Sequence, residues 1–175
     1  MALLPDCSVP TAVYFGFSTG ILTNGPYNSF FGAHISVSPS IGNNSALGSH
    51  SLHQNQGSSN SAVGAFSLYS NSNGHASVAI GESSLFSNTA GHSNTGVGAA
   101  VLYLNEKGVA NTAVGLNALR SNESDYTTAV GYEALRANTS GFENTAIGKH
   151  ALLEHTRGVQ NVAIGAYAHV KFNGN

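Results

Sequence analysis

The chain has 175 residues, a formal net charge of −2 and only 8 % charged residues, far below the roughly 25 % of an ordinary soluble protein. This balance gives no electrostatic attraction to nucleic acid or to an anionic membrane, and no run approaches the about 18 apolar residues of a membrane span. Cys7 is the single cysteine, so an intramolecular disulfide framework is excluded.

Glycine recurs along the chain at a nearly fixed interval of 16 or 17 residues. The ten glycines of this first column are Gly16, Gly32, Gly48, Gly64, Gly81, Gly98, Gly115, Gly131, Gly148 and Gly165. A short unit repeated in this way is typical of a solenoid, in which each coil contacts only its neighbours. We therefore expect a parallel β-solenoid of about ten coils, on the order of 45–50 Å long if the coils stack at strand spacing.

Residues 1–27 precede the regular repeats and contain one degenerate coil, Thr11–Gly16. Phe15, Phe30 and Phe31 stand where later coils have aliphatic or small residues. Solenoids need atypical terminal units, so this segment is interpreted as a cap, with docking to a preceding domain as the second reading. The start of the chain lacks the pattern of a secretory signal, which predicts export by another route or a signal outside this chain.

Residues 28–168 form the repeat domain, and its unit is clear in Asn111–Asn122. The residues before Gly115 are Thr112, Ala113 and Val114, and β-branched residues beside turn residues favour a short strand. The first glycine column, and a second one nine or ten residues later in which Asp125 is the exception, predict positive φ or close backbone approach.

Two further columns follow each glycine of the first column. Leucine stands four residues after it and asparagine seven residues after it, as Leu119 and Asn122 do after Gly115. Asparagine in register predicts side-chain ladders that satisfy turn backbone groups. The Ala-Leu segment fits either a second strand or a single helical turn. Residues 169–175 are expected to form a C-terminal tail.

The strand also predicts an oligomer. Side chains alternate across a strand, so Ala113 and Val114 point to opposite faces, and both columns are apolar. We expect one face to fill the coil and the alanine-rich face to meet the backbone of another chain, because a long apolar stripe in water is a liability. Association of three chains about an axis is the arrangement we predict.

The recurring N-T-A-V-G-x-x-A-L pattern, as in residues 111–119, resembles the head repeats of trimeric autotransporter adhesins and the arrays of phage tail-fibre proteins. The adhesin-type string S-V-A-I-G stands at Ser77–Gly81. The resemblance covers about residues 28–168 and implies a trimeric left-handed parallel β-roll used for display and attachment. The longer repeat here, without a coiled-coil stalk or membrane anchor, favours a fibre segment or virion component over a bacterial adhesin head.

The position five residues after each glycine is the candidate binding column. Its aromatic and basic members are Tyr69, Phe86, Tyr103, Arg120 and Arg136. Stacked aromatic rings beside arginines could hold a sugar ring, but in-register rings and stems also pack along a rod, and packing is the favoured reading.

No catalytic, cofactor or metal site is predicted. His34, His50 and His150 share the position two after the glycine, but unrelated residues fill that position elsewhere, which indicates solvated surface histidines. The acidic residues are sparse and fall at variable positions, which gives little support to a glycosidase-type carboxylate pair.

The expected function is a non-enzymatic trimeric rod, outside the cell or on a virion, that attaches to a host-surface receptor or glycan. Its expected partners are two further copies and a preceding fibre, baseplate or virion protein at the N-terminus. The alternatives are a purely structural fibre or decoration protein and a bacterial surface adhesin head. An ice-binding solenoid needs paired threonine ranks, and we expect Val78, Thr128 and Val162 to interrupt the column of Thr95, Thr112 and Thr145.

Overall fold

A computed structural model describes residues 13–17, 26–36 and 41–169. Within these ranges the chain forms ten three-residue β-strands and no α-helix. The strands are β1 (Val13–Phe15), β2 (Ser29–Phe31), β3 (Ser45–Leu47), β4 (Ser61–Val63), β5 (Val78–Ile80), β6 (Thr95–Val97), β7 (Thr112–Val114), β8 (Thr128–Val130), β9 (Thr145–Ile147) and β10 (Val162–Ile164). Each strand ends at the residue before a glycine of the first column, as the repeat predicts.

All ten strands form one parallel sheet whose spatial order is the order of the chain. Pairing is in register, so Thr112 lies beside Thr95 on one side and beside Thr128 on the other. Hydrogen bonds between coils continue beyond the strands, for example from Leu119 N–H to the carbonyl of Ala134 at 3.0 Å. The predicted parallel β-solenoid, with one strand per coil of 16 or 17 residues, is confirmed.

The Ala-Leu segment is neither a second strand nor a helical turn, the two elements that the sequence allowed. It is a turn in which the leucine has a left-handed backbone, with φ of 49° at Leu119. Left-handed φ is unfavourable for a residue with a Cβ, but the leucine side chain is fully buried and its N–H bonds to the next coil. The stacked neighbours therefore impose a conformation that leucine does not prefer.

The apolar core is thin and consists mainly of alanine from the strand and leucine from the facing turn. Ala113 and Leu119 are both fully buried, whereas Val114 is 36 % exposed. The expectation that the alanine face meets another chain is therefore wrong. The leucines already occupy the width of the coil, so only a small side chain fits opposite them and the bulky residue must point outward.

The predicted asparagine ladder runs inside the coils. In the column seven after glycine, each side-chain amide from Asn71 to Asn138 donates to the asparagine of the preceding coil, as Asn88 Nδ2 does to Asn71 Oδ1 at 2.8 Å. A second buried column, not interpreted from the sequence, lies just before the strands. There Asn111 N–H donates to Asn94 Oδ1 at 2.9 Å. These bonds satisfy polar groups that burial would otherwise leave unpaired.

The degenerate first coil joins the sheet through β1, which pairs in register with β2. Phe15 stacks on Phe31 with ring centroids 5.0 Å apart, and Phe30 is fully buried. The bulky rings therefore replace smaller side chains both inside and outside this coil. Cys7, most of residues 1–27 and most of the tail at 169–175 lie outside the described residues.

Candidate functional site

The candidate column lies on the side of the coil away from the sheet. A Cβ added to strand residue Gly96 would stand 2.8 Å from Ser84 Oγ and 3.0 Å from Val101 Cγ1, so the strand faces the turn across the core. In the turn the leucine is buried and the next residue is partly exposed, as Leu102 and Tyr103 are. The column five after glycine therefore forms an outer row, here called the turn-side ladder, with the members His53, Tyr69, Phe86, Tyr103, Arg120 and Arg136.

The aromatic members of the turn-side ladder stack on one another. Tyr69 and Phe86 have ring centroids 5.1 Å apart and an interplanar angle of 5°, and Phe86 and Tyr103 have a separation of 5.0 Å and an angle of 7°. His53, which was not singled out from the sequence, extends the row by stacking on Tyr69 at 5.1 Å. The parallel register of the coils produces this near-parallel alignment.

Stacking covers the faces of these rings. Phe86 has a ring on each side, and Arg120 Cζ lies 5.0 Å from the centroid of Tyr103 on the side away from Phe86. Only ring edges remain towards solvent, so a sugar has no open aromatic face on which to stack. The five residues predicted from the sequence lie in one row, but the three aromatic rings stack on one another and leave no ring face for a ligand.

The basic end of the ladder contains a polar cleft. It has a volume of about 210 Å³ and is lined by Arg120, Ser121, Arg136, Ala137, Leu153 and Glu154. Arg120 is held against Tyr103 by a cation–π contact. Arg136 has a half-exposed side chain, and its 3.8 Å contact with the mostly buried Glu133 is open to solvent at the arginine end and holds it only weakly. Both guanidinium groups can therefore act on a ligand.

Several histidines stack on neighbouring rings and do not project singly into solvent. His50 stacks on His34 at 4.7 Å and on Phe66 at 5.1 Å. The pKa of His50 lies below its usual value because desolvation disfavours the imidazolium and His34 and His53 add repulsion. Further along the column, His150 Nε2 lies 3.3 Å from a carboxylate oxygen of Glu133.

A second histidine pair, His75 and His92, stacks at 4.6 Å in a different row. Sequence reasoning missed it, although both residues stand six positions before a glycine of the first column. Within the part of the chain that the structure describes, no three histidine, cysteine, aspartate or glutamate residues are arranged to hold a metal ion.

The outward face of the sheet is a second candidate surface. Its bulky column is exposed on eight of the ten strands, with Leu47 53 % and Ile147 38 % exposed, whereas Val97 and Val130 are partly exposed. Between Phe31, Leu47 and Val63 this face forms an apolar groove of about 360 Å³. A rank of serine and threonine runs beside the bulky column.

The threonine rank corrects one expectation. Thr128 lies in register between Thr112 and Thr145, so with Thr95 the threonines occupy four consecutive coils, which Val78 precedes and Val162 follows. The sequence already contains this register, because Thr128 stands three residues before Gly131 as Thr112 does before Gly115. The second outward column is aliphatic, so paired threonine ranks do not form here.

Comparison with protein-family models, with curated proteins and with solved structures gives no significant match. Across residues 13–17, 26–36 and 41–169, no helix has the length and apolarity of a membrane span. Two surfaces of the described residues are therefore the candidate functional sites, the turn-side ladder and the outward sheet face.

Proposed function

We propose that this chain is a non-enzymatic attachment segment of a fibre, and that it works as a parallel homotrimeric rod. The observation that carries the proposal is the outward sheet face, on which bulky apolar side chains are exposed on eight of the ten strands from Phe15 to Ile164, with Val97 and Val130 partly exposed. A continuous apolar stripe of this length is rare on a protein that acts as a monomer.

A second copy of the chain fits this stripe better than an unrelated protein does. Every coil presents one bulky residue at the same place, and the strands pair in register over all ten coils. Identical chains laid in parallel therefore repeat the same contact at each coil, and rotation about a common axis closes the assembly. In a trimer each chain covers the apolar stripe of one neighbour, as the resemblance to trimeric fibre repeats also implies.

The mass of the protein in solution tests the assembly. Light scattering coupled to size exclusion is expected to give three times the chain mass of 17.9 kDa. A monomer at micromolar concentration would contradict the trimer and remove the main support for the fibre assignment. A dimer would keep the apolar face as an interface but contradict the threefold arrangement.

Attachment is the part of the proposal that concerns the turn-side ladder. This row lies away from the sheet, so an assembly through the sheet faces leaves it open to a receptor. Labelled protein is expected to bind a subset of cells or glycans in a panel, with saturation. An extracellular or virion setting, and a preceding fibre or baseplate protein at the N-terminus, belong to the same proposal.

A purely structural segment is the second candidate function, and the stacked rings favour it. Tyr69, Phe86 and Tyr103 cover one another's faces, which is what side chains selected for packing along a rod would do. Absence of binding to every cell and glycan tested, with a trimeric mass, would favour this function. Binding that is lost on substitution in the turn-side ladder would exclude it.

A further inference from the structure

We infer that the cleft between Arg120 and Arg136 binds the carboxylate of an acidic sugar, an inference that rests on the proposed attachment function. It assigns a ligand class to one end of the turn-side ladder. A sugar ring has no open aromatic face on which to stack there, because the rings and the guanidinium group of Arg120 cover one another.

The two arginines supply the charge for an anion. They stand in the same position of neighbouring coils and line one cleft. The ring of Tyr103 lies against one face of the Arg120 guanidinium and orients it. A planar, oriented guanidinium is suited to paired hydrogen bonds with a carboxylate. Arg136 is held only by the 3.8 Å contact with Glu133 and can exchange it for a ligand.

Glu154 limits the class of ligand that the cleft between the two arginines can bind. It lines the same cleft as the arginines, so the cleft has two positive groups and one negative group. A sugar acid presents hydroxyl groups that can donate to the Glu154 carboxylate, beside a carboxylate that accepts from the arginines, and so uses all three charged groups of the cleft. The cleft thus matches a ligand with both groups on one ring.

The size of the cleft fits a single sugar unit. Its volume of about 210 Å³ is below the roughly 300 Å³ at which sites for larger small molecules begin. Leu153 provides an apolar wall on which the carbon face of a ring can lie. A glycan would therefore insert one acidic residue and leave the rest of its chain along the rod.

The test is a glycan array in which each carboxylate-bearing glycan is paired with its methyl ester. The wild-type protein is expected to bind acid members and not the matching esters. Arg120→Gln and Arg136→Gln should each weaken this binding about tenfold or more, since a charge-assisted pair contributes that much to affinity. Arg157→Gln, which removes an exposed arginine outside the cleft, is the matched control and should bind as the wild type does.

Three results would overturn the inference: equal binding of acids and esters, acid binding that survives both cleft substitutions, or no acid member bound. Circular dichroism and solution mass show whether each variant keeps the fold and assembly. If a neutral glycan or a cell surface is bound while the acids fail, attachment stands and the acidic ligand falls. If no glycan and no cell is bound, the attachment function fails as well.

Discussion

Gly115 and Gly131 lie one above the other in successive coils, so closely that a Cβ on Gly115 would stand 2.5 Å from the carbonyl oxygen of Gly131. The backbone at Gly115 also has a φ of +126°, a region that residues with a Cβ rarely adopt. Two separate constraints therefore require glycine at this corner. The last glycine of the column, Gly165, has φ of +128° but nothing within 4 Å of the added Cβ among the described residues.

Substitutions at Gly115 and Gly165 distinguish the energetic cost of steric overlap from that of backbone strain. Gly165→Ala should cost about 1–3 kcal/mol of unfolding free energy, the cost of an unfavourable backbone conformation. Gly115→Ala carries the same strain and adds overlap with backbone that cannot move without breaking the coil, so it should cost more than about 3 kcal/mol. Urea unfolding followed by circular dichroism measures both. Equal losses in the two variants would show that close approach of the coils contributes nothing.

The asparagine ladder is expected to contribute to stability as a connected set of buried hydrogen bonds. Asn105 Nδ2 donates to the carbonyl of Gly108 at 3.1 Å, and Asn105 Oδ1 accepts from Asn122 Nδ2 at 3.2 Å. Asn105→Ala leaves the Asn122 amide without this acceptor inside the coil, which should cost about 1–3 kcal/mol. Thermal or urea unfolding at neutral pH is the measurement.

Asn73→Ala is the matched control for the ladder, because Asn73 is exposed. Its unfolding free energy should stay within about 0.5 kcal/mol of the wild type, as is usual for surface substitutions. A similar loss in both variants would mean that asparagine supports the turns through backbone preference alone. In that case the ladder would have no energetic role of its own.

The period of the sequence predicted the parts of the fold that recur in every coil. Strand positions, glycine corners and the ladder around Asn105 all follow from residues of fixed chemistry at a fixed step. The inward face of the strand could not be predicted, because Ala113 and Val114 are both apolar and alternation alone assigns neither to the core. The left-handed turn at Leu119 was also hidden, since hydrogen bonds between coils and not leucine's own preference produce it.

The candidate site was predicted less completely than the fold. The constant spacing from the repeating glycines placed Tyr103 and Arg120 in one row, because the register of the coils follows the interval between glycines. It could not show that the guanidinium covers the ring, since ring orientation depends on how each side chain packs on the coil below. His53 was not included in that row, although it stands five residues after Gly48, the position of the aromatic members.

The outward sheet face predicts which substitutions dissociate the assembly. Val114→Asp places a charge on the apolar stripe, where association would bury it without a partner, and should reduce the mass in solution from three chains to one. Leu116→Asp is the control, because Leu116 is 44 % exposed but lies after Gly115, outside the strand. It should leave the mass unchanged. An unchanged mass for Val114→Asp, or dissociation by both variants, would contradict the sheet face as the interface.

His155 ends the asparagine ladder and predicts a pH dependence of stability. It occupies the next ladder position after Asn138, whose side-chain oxygen is buried without a hydrogen-bond donor. Burial lowers the pKa of His155 below its usual 6.5, and His169 adds repulsion in the same direction. The unfolded chain therefore binds a proton at a higher pH than the folded chain does, so the contribution of neutral His155 is complete above pH 6.5 and is lost as pH falls towards the folded pKa.

His155→Asn should continue the ladder and remove this dependence. A buried amide donor facing Asn138 Oδ1 should raise the unfolding free energy by about 1 kcal/mol at pH 7.5, and the gain should be larger at pH 5, where the wild type has lost stability to protonation. His75→Asn, at an exposed position, should keep the wild-type slope between these pH values. The measurement is urea unfolding at both pH values. A gain in unfolding free energy that is the same at pH 5 and pH 7.5 would show that protonation of His155 is not linked to unfolding.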